Sequence, residues 1–183
     1  QLTGRRALIT GSSAGIGLAL AQALAQAGAH VVLNGRTASK VDAAADTLRA
    51  QGFSVSTSVF DVTDADRVRE AVDQIEAEGP IDILVNNVYK IPDPPAWGGG
   101  FWDHPVSIWD DQVGIGLRAH YIASWHAAPL LFAAGPGGSI INVSSPGGSS
   151  YHFSSSYGAG KAGLDRLSAD MALELKPKGI ACC

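Results

Sequence analysis

Cysteine is nearly absent. Of 183 residues only Cys182 and Cys183 carry thiols, side by side at the end of the chain. That excludes a disulfide framework, and two adjacent thiols cannot supply a tetrahedral zinc site. A terminal cysteine pair is one pattern of lipid attachment, but Gly179-Ile180-Ala181-Cys182-Cys183 also reads as a buried strand cut short. An initiator Met is missing too, so the chain reads as truncated at both ends. Long apolar runs are lacking: Leu18 to Leu33 is broken by Gln22, Gln26 and His30, and Ile122 to Ala134 contains His126 and Pro129, so no stretch suffices for a bilayer. Gln1 to Arg6 holds no secretory apolar region, which predicts a cytoplasmic protein. An excess of basic charge is absent as well. Thirteen Lys and Arg stand scattered against seventeen Asp and Glu, for a net charge of -4, which argues against nucleic acid as a partner. His30, His104, His120, His126 and His152 show no ligand spacing, so no metal is expected and each reads as a packed or surface residue.

What is present is a regular alternation. An apolar content of 46% over this length predicts one globular domain over 1–183. Strand patterns at Arg6 to Thr10, Val31 to Asn34, Phe53 to Phe60, Ile81 to Asn86, Gly138 to Val143 and Gly179 to Cys183 alternate with helical ones. The helical patterns run Ile16 to Ala27, Ser39 to Gln51, Asp64 to Glu78, Ser107 to Phe132 and Ser156 to Leu175. The strands are continuous apolar runs such as Ile83-Leu84-Val85, as in a sheet buried on both sides. The order therefore predicts an α/β doubly wound parallel sheet with helices on both faces, its C-terminal strand or strands missing. One connection is unusual. Tyr89 to Pro105 is rich in Pro, Gly and aromatics and follows the fourth strand; it reads either as a surface insert or as a segment whose Trp97, Phe101 and Trp102 pack over a pocket.

The chemistry-bearing residues fall where strands end. Thr10-Gly11-Ser12-Ser13-Ala14-Gly15-Ile16-Gly17 joins the first strand to the first helix; glycines there allow close approach to a pyrophosphate, which the helix N-terminus stabilises. Gly11, Ser13, Gly15, Ile16 and Gly17 are thus dinucleotide-binding candidates, with tight helix-strand packing as the alternative. After the second strand no acidic residue awaits a ribose 2′-hydroxyl. Arg36 stands there instead, and its guanidinium suits a 2′-phosphate, so NADP(H) is preferred and NAD(H) remains possible. Asp61, followed by Val62, is placed to bond an adenine amino group or to cap the next helix, and Asn87 to bond the cofactor or neighbouring strands. Ser144 and Ser145 end the fifth strand, as carbonyl ligands or turn caps. Tyr157 and Lys161 are four apart and share a helical face; an ammonium beside a phenol favours the phenolate, which suits proton exchange with a carbonyl or alcohol.

Thr-Gly-x-x-x-Gly-Ile-Gly, Asn-Asn, Ser-Ser and Tyr-x-x-x-Lys, in this order and over essentially the whole chain, resemble the short-chain dehydrogenase/reductase superfamily, single-domain subgroup. The resemblance implies a Rossmann fold, with Tyr157 as general acid/base, Lys161 lowering its pKa and binding the nicotinamide ribose, and Ser145 orienting the carbonyl. Moving a phenol from about 10 to near 7 takes roughly 4 kcal/mol, and a cation at about 4 Å supplies a similar amount at intermediate dielectric. It further implies a homodimer or homotetramer through the long fourth and fifth helices. Two departures stand out: Asn86-Asn87-Val88-Tyr89 where the family has Asn-Asn-Ala-Gly, and Gly116 where it has a helical Asn aiding the proton relay. With Trp109-Asp110-Asp111 and Leu117-Arg118-Ala119-His120-Tyr121 they mark a branch that implies NADPH-linked reduction of ketones or aldehydes, bulky apolar ones and steroids included. The alternative function is a non-catalytic NADP(H)-binding or sensing protein, motivated by Gly116. Tyr151 and His152 are expected at the substrate mouth, and Trp109 and Trp125 in the core or an interface.

Overall fold

The computed structural model describes residues 1–93 and 98–183. Its first half alternates β1 (Arg6–Ile9), α1 (Gly15–Gln26), β2 (His30–Gly35), α2 (Ala38–Ala50), β3 (Val55–Val59), α3 (Ala65–Ala77) and β4 (Ile83–Asn86). Then come α4 (Ser107–Trp109), a π-helical stretch (Asp110–Arg118), α5 (Ala119–Ala134), β5 (Ser139–Asn142), α6 (Ser155–Leu175) and β6 (Ala181–Cys182). The strands form one sheet in the order β3-β2-β1-β4-β5-β6, every neighbouring pair parallel. Because the chain leaves β1 and β4 towards opposite sides, a crevice opens between their carboxyl ends.

The period-2 alternation of a strand divides the apolar runs between two cores. Leu8, Val32, Leu84 and Ile140 face α3, α5 and α6, meeting Val68, Val72, Ile75, Leu130, Leu131 and Met171. Ala7, Ile9, Val31, Leu33, Ile83 and Val85 face α1 and α2, meeting Ala21, Ala25, Val41, Ala45 and Leu48. Both faces are apolar, which is why these strands read as continuous runs. Truncating a fully buried member such as Leu84 removes about 2–5 kcal/mol.

Local signals set the element ends. Asp64 caps α3, its Oδ1 accepting from the N–H groups of Asp66 and Arg67 at 3.1 Å each. The helix-cap reading of Asp61 is therefore corrected: the cap falls three residues later. Ser154 caps α6 by accepting from the Tyr157 N–H at 3.2 Å. The single helix expected over Ser107 to Phe132 is divided, because Asp110–Arg118 takes the wider π turn. Gly114 and Gly116, with no side chains, offer little resistance to that turn, and wide turns recur at functional sites. It packs directly on α6, where a Cβ at Gly160 would lie 2.8 Å from the Gln112 carbonyl oxygen. Cys182 pairs with Ile140 in the parallel sheet, and burial first, then Cys183, pushes its thiol up to about 11. Among the described residues no helix is long and apolar enough to cross a membrane.

Candidate active site

The turn from β1 into α1 is held by side chains that use up their own polarity. Asn87 donates from Nδ2 to the carbonyls of Thr10 and Gly11 at 3.1 Å each, and its N–H donates to Thr10 Oγ1 at 3.0 Å. Asn34 accepts from the Gly11 N–H and donates to the carbonyls of Ser58 and Phe60. Of the two alternatives for Asn87, the structure thus shows the bonds to neighbouring strands. Gly11 and Gly15 lie at positive φ, 64° and 58°. Gly17 is there for close approach: a Cβ would sit 2.3 Å from the Gly11 carbonyl oxygen. Ala14 brings no side-chain cap to α1. Its first N–H groups, around Gly15, Ile16 and Gly17, therefore point out of the turn and suit a phosphate anion.

Gly11, Ser13, Arg36, Asp61, Val62 and Tyr89 help line the adjoining cleft of about 180 Å³. Arg36 and Asp61 face each other across it at 3.7 Å. Burial opposes ionisation of Asp61, but hydrogen bonds from the Thr63 N–H and hydroxyl, with the Arg36 charge, outweigh it and hold the carboxyl below its ordinary value.

Ser145, Tyr157 and Lys161 converge where β5 gives way to α6. The Tyr157 hydroxyl donates to Ser145 Oγ at 2.7 Å, and that oxygen also accepts the Gly147 N–H at 3.0 Å. Ser145 is thus both turn cap and hydroxyl partner. Gly147 makes the contact possible, since a Cβ there would stand 2.5 Å from Tyr157 Cε1. Ser144 Oγ, by contrast, is buried and makes no hydrogen bond to Tyr157 or any other described residue. Lys161, 6% exposed, donates from Nζ to the Val143 carbonyl at 2.8 Å. Burial lowers the pKa of its ammonium, and the Asp165 carboxylate pulls the other way.

Several residues at this site had escaped the sequence reading as site residues. The Tyr89 ring stands nearly perpendicular to Tyr157 at 5.7 Å, and the Lys161 ammonium lies 5.7 Å from its centroid. Phe153 packs on Tyr157 at 5.2 Å and 74°. Tyr89 was detectable, because a bulky residue replaces the glycine of the Asn-Asn motif. Phe153 had no such signal. His120 is buried, its Nε2 donating to the Val88 carbonyl (3.0 Å) and its Nδ1 unpartnered. Burial, then Lys161 working against that bond, brings its pKa to about 4. A Cβ at Gly116, one turn before it, would meet nothing within 4 Å.

Other expectations are revised. Phe101 and Trp102 lean on each other at 5.1 Å and stay 69% and 75% exposed, so they form an outer rim; Trp97 lies outside the described residues. Trp109 and Trp125 are surface residues, not core, because α4 and α5 present them outward. A groove of about 530 Å³ on the α5 and α6 surface is lined by Tyr121, Trp125, Phe132 and Met171 among others, and by neither Ser145 nor Tyr157. Among the described residues no group of three His, Cys, Asp or Glu is arranged to hold a metal ion.

A doubly wound sheet carrying this turn, this hydroxyl pair and this lysine defines a class, and the chain belongs to it. Residues 5–183 match the short chain dehydrogenase family. More particularly, the chain is 37% identical over 185 residues to human Dehydrogenase/reductase SDR family member 1, covering 99% of the chain and 59% of that protein, and 39% identical to the mouse protein of the same name, covering 98% and 58%. These carry the branch to which Gly116 and Val88-Tyr89 point. The chain thus spans under two thirds of their length. A gluconate 5-dehydrogenase from Burkholderia cenocepacia, solved with NADP and tartrate, superposes with a TM-score of 0.92 at 35% identity, over 100% of this chain and 70% of that one.

Proposed function

We propose that the chain forms the cofactor-binding and catalytic part of an NADP(H)-dependent oxidoreductase that interconverts a ketone or aldehyde with an alcohol. The observation that carries this is the 2.7 Å bond between Tyr157 Oη and Ser145 Oγ, with a buried lysine one helical turn along. The open N-terminus of α1, free of a side-chain cap, fits a pyrophosphate held by the N–H groups around Gly15, Ile16 and Gly17. Gly11 and Ser13 shape that turn. Arg36 is assigned to a 2′-phosphate, which would displace Asp61 as its partner, and Asp61 and Val62 to the adenine side. Asn87 acts by holding the turn. The NADP bound to the Burkholderia relative is consistent with these assignments.

NADPH, when bound, supplies the hydride. A substrate oxygen about 3 Å from both hydroxyls would receive a hydrogen bond from Ser145 and the proton from Tyr157 as the carbon is reduced. Lys161, anchored on the Val143 carbonyl with its ammonium destabilised by burial, holds a transferable proton and would hold the ribose of the bound cofactor. The exposed aromatics on α5, Tyr121, Trp125 and Phe132, are assigned to a homodimer or homotetramer interface, and bulky apolar substrates and a cytoplasmic location complete the reading. A non-catalytic sensor would have no use for the aligned hydroxyl pair. The test is Tyr157→Phe: turnover of a ketone panel should vanish while NADPH binding, followed by fluorescence, persists, and unchanged turnover refutes the assignment.

A further inference from the structure

Tyr157 is gripped by two aromatic rings from opposite stretches of the chain. Tyr89 meets it nearly at right angles (5.7 Å, 80°) from the end of β4, and Phe153 (5.2 Å, 74°) from the connection ahead of α6. Neither ring is placed by ordinary core packing. Tyr89 is 39% and Phe153 48% exposed, so both keep a large surface towards solvent at the mouth of the hydroxyl pair. Phe153 is also the one non-glycine residue at positive φ among the described residues, at 61°. That conformation is unfavourable for an L-residue with a bulky side chain and persists only where the surroundings impose it. Here it turns the backbone just before the Ser154 cap and lays the ring back over Tyr157.

Tyr89 is fixed by different means. Lys90 next to it pairs with Asp111 at 2.7 Å, and Gln112 Nε2 donates to the Lys90 carbonyl at 3.3 Å, so the π turn straps this segment down. The Lys161 ammonium lies over the ring, 5.7 Å from its centroid. A strained aromatic on one side and an exposed aromatic strapped down on the other, both packed on Tyr157, point to a ligand.

We propose that Tyr89 and Phe153 are specificity-determining residues that bracket the substrate and select carbonyl compounds bearing a flat aromatic ring on the carbonyl carbon. This rests on the reading of Ser145 and Tyr157 as the carbonyl site. With its oxygen between those hydroxyls, a substrate places its nearest substituent against the two rings. An aryl group gains ring-ring attraction beyond the area it buries, whereas a puckered saturated ring of the same size gains burial alone. Discrimination of this kind shows as a ratio of kcat/KM values.

The experiment compares acetophenone with cyclohexyl methyl ketone, using the whole protein and NADPH. A ratio of kcat/KM of about tenfold or more for acetophenone is expected, falling by about tenfold in Phe153→Leu and in Tyr89→Leu and retained in Phe153→Tyr and Tyr89→Phe. A ratio near one in the unaltered protein overturns the proposal, as does a ratio that survives both leucine variants. Calorimetry of 1-phenylethanol and 1-cyclohexylethanol on the NADP⁺-loaded protein reads the same preference without turnover. A binding preference lost in the leucine variants, with no reduction of either ketone, supports the bracket and sinks the oxidoreductase reading; turnover without any preference does the reverse. Equal binding of the two alcohols overturns the bracket whatever the turnover.

Discussion

The β1–β3 side of the crevice and the β4–β6 side treat buried polarity in opposite ways. On the first, Thr10, Ser12 and Asn34 are all buried and all paired: Thr10 Oγ1 with the Val85 carbonyl and the Asn87 N–H, Ser12 Oγ with the Ile9 carbonyl and the Asn34 N–H, and Asn34 as described. On the second, Asn86 Oδ1, Gln112 Oε1, His120 Nδ1 and Ser144 Oγ are buried without a protein partner. Phe153, with its unfavourable backbone, lies on the same side; a residue so placed stores about 1–3 kcal/mol. A cradle for a fixed charged group works best when its own hydrogen bonds are complete, leaving only the helix N–H groups to face the ligand. A site that must exchange protons keeps polarity in hand, and such groups elsewhere are met by ordered water or ligand.

Four experiments would break or sharpen this contrast. The largest effect is expected from Tyr157→Phe, with kcat falling by about 10²–10⁴-fold; an equal loss of NADPH affinity in a titration would mean that the two sides are not separable. Next comes acid. His120 has a folded pKa of about 4, below its unfolded value of about 6.5, so the unfolded chain takes up the proton first as pH falls. The stability is intact above about pH 6.5, is lost through the window down to about 4, and that gap caps the loss at about 3 kcal/mol. Urea midpoints measured across that window should show a slope that His120→Gln removes, and a slope unaltered in the variant would place the titrating group elsewhere.

Overpacking tests the completeness of the cradle. Gly17→Ala brings a methyl onto the Gly11 carbonyl and the Asn87 amide, and a cost of about 1–3 kcal/mol should appear as NADPH binding weakened roughly tenfold to a hundredfold by calorimetry. Wild-type affinity would show the turn to be softer than its hydrogen bonds indicate. The smallest effect is assigned to Arg36→Asp. Because Arg36 is mostly exposed, the NADPH to NADH ratio of kcat/KM should move towards NADH by about tenfold; an unmoved ratio removes Arg36 from phosphate recognition.

Much of the fold was legible because a sheet buried on both faces forces long apolar runs, and the doubly wound order follows from their alternation with helical patterns. The Tyr157 and Lys161 pair was legible because four residues make one turn. Less so was Asp61: three carboxylates within six positions compete for the start of α3, and only the backbone path gives the cap to Asp64. The break at Asp110 was hidden, since local pattern does not distinguish a π turn from an α turn when the resisting side chains are glycine.

The amino-acid order by itself determined the strands, the glycine turn, the family motifs and the identity of the hydroxyls and lysine that meet at β5 and α6. Only the tertiary structure decided that Asn87 holds the turn and that Tyr89 and Phe153 close on one phenol. Tyr89 reaches Tyr157 across 68 positions of chain, and such contacts depend on the path of two connections that no local periodicity encodes.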